Sequence, residues 1–233
     1  MEENLKEIKK KVAEDWQNAF PQLVKYAQNK YYKIVGPVLV GIELVKPSNI
    51  EKYSPHFVIY SLWGNKMGKD LKACLSGPIV LKPFLSKRGQ EIFIPYSKHS
   101  TEFLEAIKAV KRQIPIPLEG VVSLESLFFA IDEHSKAPPL NASPNSYLQA
   151  VLQESKLELA LCAGNDDQIQ SVLSKILNRK WDVAHFQMLK IDVNQWLKKV
   201  KEKVNNRSEF QSQVILNKQE KKLMKLHASK LEA

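Results

Sequence analysis

The hydrophobic period of this chain changes near residue 100, and that change limits what it can fold into. Between residues 31 and 96, β-branched and aromatic residues gather in short runs bounded by turn residues, the pattern of strands. From residue 101 onward, apolar side chains recur every three or four positions, the pattern of helices. The strand-like runs are joined by connections too short for crossover helices, so neighbours are expected to pair antiparallel. The runs are 31–35 and 38–46, split by Gly36-Pro37, then 57–63 between Ser54-Pro55 and Gly64, then 79–84 and 91–96. Lys87-Arg88-Gly89-Gln90 reads as a hairpin turn between the last two, and 71–75 is ambiguous.

A helix over 3–19 precedes them, with Leu5, Ile8, Val12, Trp16 and Phe20 on one stripe. Leu23, Tyr26 and Ala27 read as a short second helix after Pro21. Downstream, Ser100 or Thr101 is expected to cap a helix to Gln113, and Ser123 one over 124–134. Residues 136–145 carry three prolines and form the best linker candidate. Ser143-Pro144 starts a helix that Gly164 ends, and Asn165…Gln168 and Asp192…Gln195 have capping-box spacing for two more. Arg207–Leu231 reads as one long polar helix with a frayed end. The predicted fold is α+β: an N-terminal helix, an antiparallel sheet of four or five strands and a helical C-terminal half. Residues 1–135 form the mixed part and 143–233 the helical part, joined by a linker short enough for one shared core. Trp16, Phe57, Ile59, Phe103, Ile107, Phe128 and Ile131 are the expected core.

Charge narrows the partners. The chain carries +10, concentrated as +6 in residues 31–100 and +5 in residues 191–233, while residues 101–190 carry −2. Such a balance favours acidic partners: nucleic acid, an anionic surface or an acidic protein. The first fifteen residues lack an apolar leader core, and no apolar run approaches the roughly 18 residues of a membrane span, so the reading is a soluble cytoplasmic protein. Cys74 and Cys162 each sit in apolar surroundings and read as small buried side chains.

No motif brings its own chemistry. Gly64-Asn-Lys-Met-Gly68-Lys69-Asp70 resembles a phosphate loop in outline only. It has three residues between its glycines where the pattern needs four, and an aspartate where a hydroxyl should hold magnesium. The five histidines, His56, His99, His134, His185 and His227, show no metal spacing, so no metal or cofactor is expected. Asp182 and His185 are close enough on a helix to touch, but no nucleophile motif accompanies them. Glu43 interrupts an apolar strand. With Lys46 on the opposite face it does not complete a nuclease pattern, and it is expected to face water or a basic cross-strand neighbour.

Two function classes lead. The first is a non-enzymatic binding protein acting through a protein interface, as an adaptor, an inhibitor or an immunity-type protein, with an acidic partner. The second is a nucleic-acid binder using the aromatic, basic sheet segment and the basic C-terminal helices. An enzyme whose site is dispersed in sequence is the third alternative. For the first two classes the candidate contact residues are Trp63, Lys66, Lys69, Lys87, Arg88, Lys198, Lys199, Lys201 and Lys203.

Overall fold

Strands β1 (Val24–Ala27), β2 (Lys30–Val35), β3 (Val38–Val45), β4 (Lys52–Ser61) and β5 (Val80–Pro83) pair antiparallel in chain order. The computed structural model in which they are seen describes residues 2–48, 50–64 and 77–233. Lys66, Lys69, Cys74, the glycine-rich connection from residue 65 and the segment 71–75 lie outside those residues.

Alternation along β3 explains the layering. Val38, Val40, Ile42 and Leu44 point to one face, where Trp16 of helix α1 (Glu2–Ala19), Ile107 of α2 (His99–Gln113) and Ile131 of α3 (Leu124–Ser135) join the same buried cluster. Leu39 points to the other face, with Tyr32, Ile34, Val58 and Tyr60. That face is covered by Val214 of α8 (Arg207–Lys218) and by Leu223 and Leu226 beyond it. The sheet is thus a middle layer buried on both sides, which is why β3 and β4 read as near-continuous apolar runs. Helices α4 (Tyr147–Ala163), α5 (Asp166–Asn178), α6 (Val183–Met188) and α7 (Val193–Asn205) follow, and the larger buried cluster runs from Val12 to Val200. Among the described residues no helix is long and apolar enough to cross a membrane.

Several local signals operate as expected. Ser123, Asn165 and Asp192 accept hydrogen bonds from the backbone N–H groups of Ser126, Gln168 and Gln195, and Gly164 ends α4 at φ 79°. Of the expected core, Trp16, Phe57, Ile59, Ile107, Phe128 and Ile131 are buried. Phe103 is only half-buried, its ring set edge-on to Trp16 at 5.6 Å.

Other expectations are corrected. Residues 24–27 are strand β1, because Asn29 takes φ 62° and closes a tight hairpin onto β2 in a conformation that asparagine tolerates. No side chain caps α2; Ser100 and Thr101 lie inside its first turn. Ser146, three residues beyond Ser143, caps α4. The run 91–96 pairs with β4 only over β6 (Ile94–Pro95). The long C-terminal helix stops at Lys218, because the Glu220 carboxylate accepts the N–H groups of Lys222 and Leu223 and turns the chain. The tail then forms β8 (Ala228–Ser229), parallel to β2, and β9 (Leu231–Glu232), parallel to β7 (Val122–Ser123). Buried Lys33 ties it down, donating to the Leu118 carbonyl at 2.5 Å and to Ser229 Oγ at 2.6 Å.

Candidate functional site

Helix α7 docks through Trp196 and Val200, four residues apart on its apolar stripe. Trp196 meets Trp181 edge-on at 5.3 Å, and its Nε1 donates to Glu154 of α4 at 2.8 Å. This docking leaves Lys198, Lys199 and Lys201 exposed and turns Lys203 inward. At the C-terminal end of β4, half-buried Trp63 packs against Phe210 of α8, ring centres 5.9 Å apart. Between these elements lies a cleft of about 770 Å3, lined by Trp63 and Phe210, by Glu158, Glu202 and Glu209, by Lys199 and Lys203, and by the amides of Asn206 and Gln213. The cleft therefore brings together Trp63, Lys199 and Lys203 from the predicted set. Phe210 and Glu158 were missed; two glutamates four apart on a helix rich in leucine and alanine, Glu154 and Glu158, were the available signal.

Beneath the cleft, Lys203 Nζ donates to Glu154 at 2.6 Å and to Glu158. Two carboxylates share one ammonium, so one negative charge is uncompensated in a buried place. The charges settle in two ways. Lys203 is held above the usual lysine range by the two carboxylates, which overcome its burial. Glu158 is pushed up from 4.5 to about 7 by burial, with the Lys203 ammonium opposing and Glu154 adding. Folding thus lets Glu158 keep a proton that the unfolded chain releases. The stability this confers is complete below about pH 4.5 and is lost as the pH rises toward about 7. Glu158→Gln is therefore expected to raise stability at pH 8 by about 1–3 kcal/mol and to change little at pH 4. Lys203 keeps its Glu154 partner in the variant, so no ammonium is stranded. Urea unfolding at the two pH values checks this; a variant less stable at pH 8 contradicts it.

The remaining described residues of the nominated set do not line this cleft. Lys87 and Arg88 occupy the hairpin after β5, where Lys87 pairs with Glu105 of α2 at 2.9 Å. That hairpin springs from the Pro55 end of β4, whereas Trp63 follows Ser61. Six residues of extended chain, about 20 Å, separate the two ends. Lys198 lies 3.8 Å from Glu202, and Lys199 and Lys201 make no ion pair among the described residues.

Other polar groups with catalytic potential are committed to holding the fold. Glu43 is buried, not solvated, and Oε1 accepts from Tyr32, from Tyr60 at 2.8 Å and from its cross-strand neighbour Lys30 at 3.0 Å. Burial and this carboxylate raise the Tyr32 and Tyr60 hydroxyls well above the usual phenol range. His99 is 2 % exposed and bonds Asp15 at 2.9 Å and Tyr53 at 2.7 Å. Asp182 receives the backbone N–H of His185, whose Nδ1 accepts from the Tyr147 N–H, so the two form a helix cap and no carboxylate–imidazole pair. His56 stands 3.7 Å from Glu91. Burial pushes the half-buried Cys162 thiol up to about 12, which suppresses its thiolate.

Comparison with family models, with curated proteins and with solved structures finds no match.

Proposed function

We propose that this chain is a non-enzymatic binding protein, of adaptor, inhibitor or immunity type, which engages an acidic protein through the outer face of α7 and the Trp63–Phe210 step beside it. One observation carries the reading: α7 presents Lys198, Lys199 and Lys201 to solvent, the last two without ion-pair partners among the described residues, next to a half-buried aromatic pair. Aromatic anchors ringed by charge are the usual anatomy of a protein interface, and free ammonium groups steer an acidic partner. The chemistry of the interior agrees. The imidazole of His99, the Glu43 carboxylate and the Lys203 ammonium all hold elements together, so their polar capacity is spent on the fold.

The distribution of charge weighs against a phosphate track. Lys87 has the Glu105 carboxylate 2.9 Å away, and its hairpin stands at the opposite end of β4 from α7. The test uses the chain as bait under native conditions in three forms: wild type, Lys198→Glu/Lys199→Glu/Lys201→Glu and Lys87→Glu/Arg88→Glu. One acidic protein held in stoichiometric amount by the wild type and the hairpin variant, and lost by the α7 variant, is the expected result. Equal capture by all three, or dependence on the hairpin alone, would overturn the proposal.

A further inference from the structure

A second hollow, far smaller in carboxylate content, lies between the first half of α1 and the β1–β2 hairpin. It measures about 560 Å3, and its walls carry Lys6, Lys9 and Lys10 of α1, Lys25 of β1 and the amides of Gln28 and Asn29. Helical geometry explains the first three, since positions i, i+3 and i+4 share one face. Antiparallel pairing of the hairpin then brings Lys25 opposite them. Among the described residues no carboxylate lines the hollow. Half-buried Lys9 reaches Glu51 at 3.3 Å and lies over the Tyr96 ring, so its charge is partly met, whereas Lys10 reaches Glu14 at 3.9 Å largely in water, where such pairs hold weakly. Lys6 and Lys25 make no ion pair among the described residues.

Four ammonium groups around one hollow repel one another until a polyvalent anion enters, when each repulsion is offset by an attraction. We propose that this hollow binds a small molecule carrying two or more linked phosphates. A single carboxylate or sulfate could neutralise only part of the charge, whereas linked phosphates present several charges in one molecule, each a point-charge partner for an ammonium. The volume lies within the range of roughly 300–1,000 Å3 usual for small-molecule sites. Glu14 and Glu51 stand at its margin, where the next phosphates of a continuous nucleic-acid backbone would meet like charge. The site shares no residue with the α7 face, so the two proposals stand or fall separately.

Isothermal titration with tripolyphosphate and with adenosine triphosphate, both without divalent metal and at constant ionic strength, tests it against sulfate as control. Saturable one-site binding is expected for the wild type, weakened about tenfold or more in Lys6→Gln/Lys25→Gln and unchanged in Lys198→Gln/Lys201→Gln. Melting curves of the unliganded variants should superimpose on the wild type, since all four side chains are exposed. The proposal is overturned by the absence of saturable heat, or by equal affinity in the Lys6/Lys25 variant. A single-stranded oligonucleotide of about twelve residues that binds more tightly than tripolyphosphate, through Lys6 and Lys25, would equally overturn it by showing a polymer site.

Discussion

Gly41→Ala should destabilise the protein by about 3 kcal/mol or more, enough to prevent accumulation of folded chain. A methyl group on Gly41 would sit 1.9 Å from the Tyr31 carbonyl oxygen and 2.8 Å from Tyr32 Cδ1. The carbonyl belongs to β2, paired residue for residue with β3 from Lys30↔Glu43 to Val35↔Val38, so it cannot retreat without opening the ladder. Tyr32 is equally constrained, since it is fully buried and bonded to Glu43. The requirement is one of space, which sets up a control. Gly120 has φ 69° and open surroundings, so Gly120→Ala should cost only the about 1–2 kcal/mol of a left-handed alanine. Urea unfolding with circular dichroism compares the two; a Gly41→Ala protein within about 1 kcal/mol of wild type contradicts the packing described.

His99→Ala should cost about 3–4 kcal/mol. Trp16 Nε1 donates to the Tyr53 hydroxyl at 3.3 Å, and His99 bonds that hydroxyl through Nδ1 and the Asp15 carboxylate through Nε2. A carboxylate can only accept, so with the ring uncharged Nε2 carries the proton and Nδ1 accepts from Tyr53. Every donor then points one way, from Trp16 through Tyr53 and His99 to Asp15, joining α1, β4 and α2 across the core. Removing the imidazole leaves a cavity and a Tyr53 hydroxyl without an acceptor in an apolar place. Asp15 reaches water and loses less. Tyr53→Phe should cost less than His99→Ala, because it leaves the imidazole in place. If His99→Ala unfolds at the wild-type urea midpoint, the relay contributes nothing to holding the three elements together.

Much of the fold is legible in the residues because local chemistry and tertiary packing agree there. Asp192 and Asn165 cap the helices they precede, and the alternation of β3 gives both of its faces. The readings failed where a distant contact decided the outcome. Residues 24–27 have no helical or extended preference strong enough to rule. They become a strand because β2 offers a partner across Asn29. The tail leaves its helical pattern because β2 and β7 offer edges to Ala228–Ser229 and Leu231–Glu232. For Glu43 the basic cross-strand neighbour is there, in Lys30, but its burial under Tyr32 and Tyr60 depends on a strand register that the sequence does not state. The candidate site was legible in part for the same reason. Lys198, Lys199, Lys201 and Lys203 fall on one basic helix by simple spacing, but the meeting of Trp63 with Phe210 depends on how α8 crosses the end of β4.

The central claim is that the exposed lysines of α7 meet an acidic protein. Its most direct test is native capture with the wild type and with Lys198→Glu/Lys199→Glu/Lys201→Glu, repeated across a salt series after nuclease treatment. The account predicts one acidic protein, retained near physiological salt, released as screening shortens the reach of the charges, and missing from the variant at every salt. A partner held equally by the variant, or one that disappears after nuclease treatment of the wild-type sample, would contradict it.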